Sequence, residues 1–353
     1  MKSEVNNTAK TGRIAYIDAL RGFTMFLVVF GHVMLESFDL QAYDTVLGTT
    51  FLAFRMPMFF FISGYIGFKA LEKWDLSFFS KMTRKKMLVQ TVPALFFFSL
   101  YMIMHGISPL WCLKNGWGGY WFTFVLLEMF LIYYTASLLG KYLKFKYSLE
   151  IIGVIVSLIG IALAPSLEVN NAPWCKILCL NNLSKYFQFF FLGLMCRKYN
   201  DRFFKFIGND IVRFIIIVGF IAGMIIYFNE AFETHFALAH KLTKNLFVRY
   251  LGVFLVFIFF YSKRDYWKQE NAVTRSFTFI GRRTLDIYLI HHFLFPDITV
   301  LHDWLAPNQM IVMQFALSTI VALLIIGVCL IISEIIRTSN TLAHFILGVN
   351  RNK

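Results

Sequence analysis

The chain has 353 residues, of which 58% are hydrophobic and 42 are Phe, and its mean hydropathy is +0.63. Soluble domains carry roughly 45–50% apolar residues even with glycine counted, so this composition excludes an ordinary soluble fold and implies an all-α polytopic membrane protein. A formal net charge of +14 would suit a nucleic-acid binder, but the positions of the cations remove that reading.

Apolar runs of spanning length, about 17–25 residues, recur along the chain. They cover 15–37, 46–68, 87–106, 119–140, 149–164, 183–197, 211–229, 246–262, 278–296 and 311–335. These are read as ten transmembrane helices, because a helix satisfies all its backbone groups internally in lipid. The first run is too long for a cleavable signal and lacks an A-x-A site, so it is expected to stay as an anchor. No repeat or low-complexity stretch interrupts the series, and one integral-membrane domain over 1–353 is expected.

Basic residues alternate from one connection to the next. Lys2, Lys10 and Arg13 precede the first span, and Lys69, Lys73, Lys81, Arg84, Lys85 and Lys86 follow the second. Lys141, Lys144 and Lys146 follow the fourth, while Arg197, Lys198, Arg202, Lys205 and Arg213 follow the sixth. Lys263, Arg264, Lys268, Arg275, Arg282 and Arg283 follow the eighth, and Arg337, Arg351 and Lys353 follow the tenth. The other connections hold few cations and also carry Asp39, Asp44, Glu168, Glu230, Glu233, Asp297 and Asp303. The positive-inside rule then predicts both termini in the cytoplasm. The net charge is used up by topology, and no nucleic-acid partner is expected.

Ionisable residues at membrane depth are the candidates for function. The first span contains Asp18, Arg21 and His32. Eleven residues make three turns plus about 20°, so Arg21 and His32 share a helix face roughly 16 Å apart. Asp18 is one turn from Arg21 and close enough to pair with it. With the N-terminus inside, Arg21 is expected near the cytoplasmic mouth and His32 deeper. The second span carries Arg55, two residues before Pro57, whose missing amide frees a carbonyl one turn back. Arg55 either offers donors to a phosphate or developing oxyanion, or is neutralised by an acid such as Glu128 in the fourth span.

His291 and His292 end the ninth run, and helical periodicity lets at most one of them share a face with His32. His292 and Asp297 match an H-x-x-x-x-D spacing, read as coincidence at the outer interface. Cys175 and Cys179 stand four apart and are read as unpaired thiols, a disulfide being the alternative. No zinc-ligand spacing, P-loop or G-x-S-x-G occurs, so no metal is expected.

The string Asp18-Ala-Leu-Arg-Gly22 with His32 eleven residues after Arg21, "FRMPMFFFISGY" over 54–65, and "IYLIHH" over 287–292 together resemble the membrane acyltransferase-3 family. The resemblance implies a ten-helix membrane enzyme that moves acyl groups, commonly acetyl from acetyl-CoA, to a sugar or lipid-linked glycan of the cell envelope. What it implies maps onto Arg21, His32 and Arg55. With Glu128 added as the only acid deep in the fourth span and Asp18 as the partner of Arg21, the catalytic candidates are His32, Arg21 and Glu128, and the coenzyme-binding candidates are Arg21, Arg55 and Asp18. His291 and His292, in the outer half of the ninth run, are substrate-side candidates, a structural or interfacial role being the alternative, and the expected location is a bacterial cytoplasmic membrane. A second reading, a glycan or glycolipid flippase without chemistry, would favour paired broken helices in matching halves, and the sequence has no such symmetry.

Overall fold

The computed structural model describes residues 14–41, 45–306 and 310–348, and the described residues contain helices and turns with no strand. Lys2, Lys10, Arg13, Asp44, Arg351 and Lys353, used in the charge pattern, lie outside the described residues.

In chain order the main helices are α1 (Ala15–Ser37), α2 (Val46–Gly67), α3 (Leu76–Met104) and α4 (Gly118–Tyr142). Next come α5 (Ser148–Val169), α6 (Leu180–Lys198), α7 (Asp210–Tyr227) and α8 (Ala237–Ser262). The series ends with α9 (Ala272–Arg282), α10 (Thr284–Ile290) and α11 (Ile311–Arg337). Eight of them, all but α6, α9 and α10, are long and apolar enough to cross a membrane. The protein is therefore an all-α, polytopic membrane protein.

Two of the ten expected spans differ. Residues 183–197 do form a helix, α6, but Asn181, Asn182, Ser184, Lys185 and Gln188 make its first half polar. Residues 278–296, expected as one span, are broken at Arg283 between α9 and α10, and the chain then enters a tight 3-10 turn at His291–Phe293. The apolar content of that run was high, but its Arg282-Arg283 pair falls where the helix stops.

The chain forms two compact units, one from residues 1–59 with 204–330 and the other from 60–203 with 331–353. In the first unit α1 packs against α9, and also against α8 and α10. Glycines permit the α1–α9 contact: a Cβ on Gly22 would collide with the Phe277 carbonyl, and one on Gly281 with the Asp18 carbonyl. Small residues let membrane helices approach backbone to backbone. An apolar cluster of Leu27, Ala53, Phe54 and Val248 joins α1, α2 and α8, with Phe23, Phe51 and Phe220 against it. After α1 ends in a π-helical turn, the Ile298 amide donates to the Ser37 carbonyl at 2.9 Å, and the His302 ring meets the Phe38 carbonyl at 3.1 Å. Those bonds tie the segment after the His291 turn to the end of α1.

In the second unit α5 packs on α6, and both meet α4. Gly64 and Gly193 repeat the close approach, each Cβ position being filled by a carbonyl, of Phe190 and Phe61 respectively. Phe60, Tyr65, Phe130 and Phe190 fill the space around them. Lys198 bridges α6 to Glu150 of α5 at 2.6 Å, and the Tyr199 hydroxyl donates to the same carboxylate at 2.5 Å. Beyond the end of α2, burial and the neighbouring charges of Lys73, Lys85 and Arg197 hold the Lys69 ammonium below the usual lysine range. All five cysteines are free thiols, so Cys175 and Cys179 form no disulfide, and burial pushes the Cys179 thiol up to about 12, out of reach of neutral pH.

Candidate functional site in the first unit

The site is built on α1, whose glycine crossing brings one charged cluster and whose far end brings a second, all-imidazole cluster. Near the crossing the buried Asp18 carboxylate lies 3.8 Å from Arg21 and 3.6 Å from Arg282 of α9. Arg21 also donates through Nη2 to the Thr284 hydroxyl, the first residue of α10, at 2.8 Å. The expected Asp18–Arg21 pairing is thus present and extends to a second arginine. Asp18 balances part of the two positive charges, and Thr284 fixes the direction of the Arg21 guanidinium, which remains one-third exposed. A planar, directed guanidinium of this kind suits a phosphate or carboxylate.

Three turns along α1, His32 meets both histidines of the turn after α10. Its ring centroid is 5.4 Å from that of His291 and 5.2 Å from that of His292, and the latter two are 4.0 Å apart. This corrects the periodicity argument that only one of the pair could share a face with His32. The helix stops at Ile290, and the His291 ring itself caps it. Its Nδ1–H donates to the carbonyls of Ile287 at 3.0 Å and Tyr288 at 2.9 Å. Side-chain bonds to the last carbonyls compete with further helix, and in the resulting turn two consecutive residues face one way. Phe295 covers the cluster, 6.0 Å from the His32 ring and 5.6 Å from His291.

Arg55 reaches α1 one residue before His32. Its guanidinium occupies the space where a side chain at Gly31 would be, so any Cβ there would strike Nη1 and Cζ. Gly31 is therefore a seat for Arg55, and the cation is held beside the imidazole cluster. His32 is half-buried with Nδ1 sealed from solvent and without a hydrogen-bond partner, so the orienting partner expected from another helix does not engage that nitrogen.

Glu128 belongs to the second unit, on α4, where Oε2 is buried without a hydrogen-bond partner. Asp297 is exposed, and its carboxylate accepts from the Thr299 amide at 3.1 Å and hydroxyl at 2.7 Å, which hold it below the ordinary carboxylate range. Its Oδ1 is committed to a local turn, in keeping with coincidental spacing to His292.

The sequence reading missed Arg282, Thr284 and Phe295. Arg282 was counted as a loop cation, and only its place in an otherwise apolar run signalled more. It also missed the grouping of His32, His291 and His292, whose ligand atoms all lie within 4.8 Å of one another. No local spacing betrays a cluster assembled from the two ends of the chain.

The family model described as an acyltransferase domain, acyltransferase-3, matches residues 14–334. That range contains every residue of both clusters. No curated protein and no solved structure matches the chain.

Proposed function

The chain belongs to the acyltransferase-3 family and is a membrane acyltransferase, and from that premise we propose that it moves acetyl from acetyl-CoA to a hydroxyl of a cell-envelope sugar or lipid-linked glycan. The observation that carries this reading is the line of α1. It has a directed guanidinium at Arg21 and an imidazole at His32 on one face, with Arg55 seated beside the imidazole. An anionic head on a long thin arm ending in a thioester fits that sequence of groups. The spacing, roughly 16 Å along the helix, suits the arm of coenzyme A.

In the proposed reaction Arg21, with Asp18 behind it, holds a phosphate of the donor. His32 takes the proton from the acceptor hydroxyl as its oxygen attacks the thioester carbonyl. The carbon–oxygen bond forms, the carbon–sulfur bond breaks, and the imidazolium returns the proton to the leaving thiolate. Arg55 offers its donors to the oxyanion that develops between those events. A variant with a transient acyl group on His32 uses the same residues. His291 and His292 line the acceptor side. The setting we propose is a bacterial cytoplasmic membrane with both termini inside, so that the Arg21 end receives the donor from the cytoplasm.

The test is transfer of radiolabelled acetyl from acetyl-CoA to a panel of sugars and lipid-linked glycans by the purified protein in detergent. Transfer that disappears in both His32→Ala and Arg55→Ala supports the reading. Transfer at the normal rate by folded His32→Ala overturns it.

A further inference from the structure

We propose that His32, His291 and His292 form a binding site for one divalent transition-metal ion of the zinc class. One ring nitrogen from each lies within 4.8 Å of one from each of the other two. His291 is fully buried, at 0% exposure, and its two bonds to the Ile287 and Tyr288 carbonyls fix its tautomer. A carbonyl only accepts, so Nδ1 carries the proton and Nε2 keeps its lone pair. That Nε2 is sealed from solvent and has no hydrogen-bond partner. Nδ1 of His32 is in the same condition. Backbone carbonyls behind an imidazole are the usual outer support of a metal-binding histidine, which they hold in one orientation.

Zinc binds imidazole nitrogen at about 2.0–2.1 Å, which in a tetrahedral site separates neighbouring nitrogens by about 3.4 Å. The rings therefore need movements on the order of 1 Å to close on an ion. Three neutral imidazoles without a carboxylate select zinc, cobalt, nickel or copper over magnesium or calcium. They leave a fourth position for water or a substrate oxygen, as in sites that are open rather than structural. Phe295, against all three rings, supplies an apolar wall.

One consequence rests on the acyl-transfer reading. A lone pair given to a metal cannot accept a proton, so the metal-loaded state and the base-competent state of His32 exclude each other. The ion is then a brake on transfer.

The experiment uses the purified full chain in detergent, stripped with a chelator and titrated with cobalt(II), whose visible absorption distinguishes tetrahedral sites. The expected result is saturable binding of one ion per chain with a tetrahedral spectrum that zinc abolishes by displacement. Binding should weaken at least 10–100-fold in His291→Gln and in His292→Gln, and persist in His105→Gln, a histidine of the second unit. Melting curves and size exclusion show which variants are folded, and either of the two cluster variants suffices. Absence of saturable binding, or equal affinity in a folded cluster variant, overturns the site. Zinc should lower acetyl transfer and the chelator should restore it; acceleration by zinc overturns the brake. A protein inactive in every state fails the acyl-transfer reading, while the cobalt spectrum still decides the metal site.

Discussion

The two glycine crossings use one packing device for different ends. Gly22 against Gly281 in the first unit and Gly64 against Gly193 in the second each leave no room for a Cβ. Around the first stand Asp18, Arg21, Arg282 and Thr284, a charged and hydrogen-bonded group. Around the second stand Phe60, Phe61, Tyr65 and Phe190, which stack and interlock. Close backbone approach is thus neutral toward function. In one unit it gathers two arginines around a buried carboxylate, and in the other it supplies rigidity through dispersion and aromatic contact.

That contrast is tested most sharply at the histidine end of α1, away from either crossing. His32→Ala should lower acetyl transfer about 10²–10⁴-fold, the usual worth of a positioned base, with little change in melting temperature. Gly31→Ala sharpens the point, because a single methyl must evict the Arg55 guanidinium. Alanine favours the helix by up to about 1 kcal/mol, so the protein should melt no lower while transfer falls about 10²–10³-fold, as when one oxyanion donor is lost. Retention of normal transfer by this variant would remove Arg55 from the chemistry.

The crossings themselves come next. Gly22→Ala and Gly64→Ala should each cost about 1–3 kcal/mol, the range for overpacking, measured by thermal unfolding in detergent. Below the melting range, only Gly22→Ala should also raise KM for acetyl-CoA, because it parts Arg21 from Thr284. Asp18→Asn should cost about 1 kcal/mol in coenzyme affinity, roughly fivefold in KM, since both partnering arginines are partly exposed. The smallest change belongs to Glu150→Gln. It loosens the α5–α6 ion pair by about 1 kcal/mol or less and should leave the transfer rate where it was.

Much of this arrangement was legible in the chain. Charge-poor apolar runs located the eight helices of spanning length, and the spacing of Asp18 and Arg21 located their ion pair on α1. The ninth run misled for a local reason. Hydropathy averaged Arg282 and Arg283 away, although two adjacent cations oppose helix continuation through lipid. Periodicity misled at His291 and His292 because it presumes a helix, and the imidazole of His291 ends that helix by taking its last carbonyls. Arg55 was a candidate from its depth, from Pro57 beside it and from the family resemblance. Its seat on Gly31 depends on two helices meeting at one level, which no single segment encodes. Asp18 as a bridge between Arg21 and Arg282 was half legible: the near partner follows from helix geometry, and the far one only from the fold.

The seat at Gly31 has a genetic corollary. Positions 31 and 55 share one volume, so their substitutions cannot be scored independently. Alanine at 31 should be harmful in the presence of Arg55 and nearly silent in a background where Arg55 has already become alanine. A two-site library would show this as sign-consistent epistasis confined to that pair, with shorter side chains at 55 making alanine at 31 neutral. They regain the space and not the cation, so no second substitution at 55 should restore growth under selection for transfer.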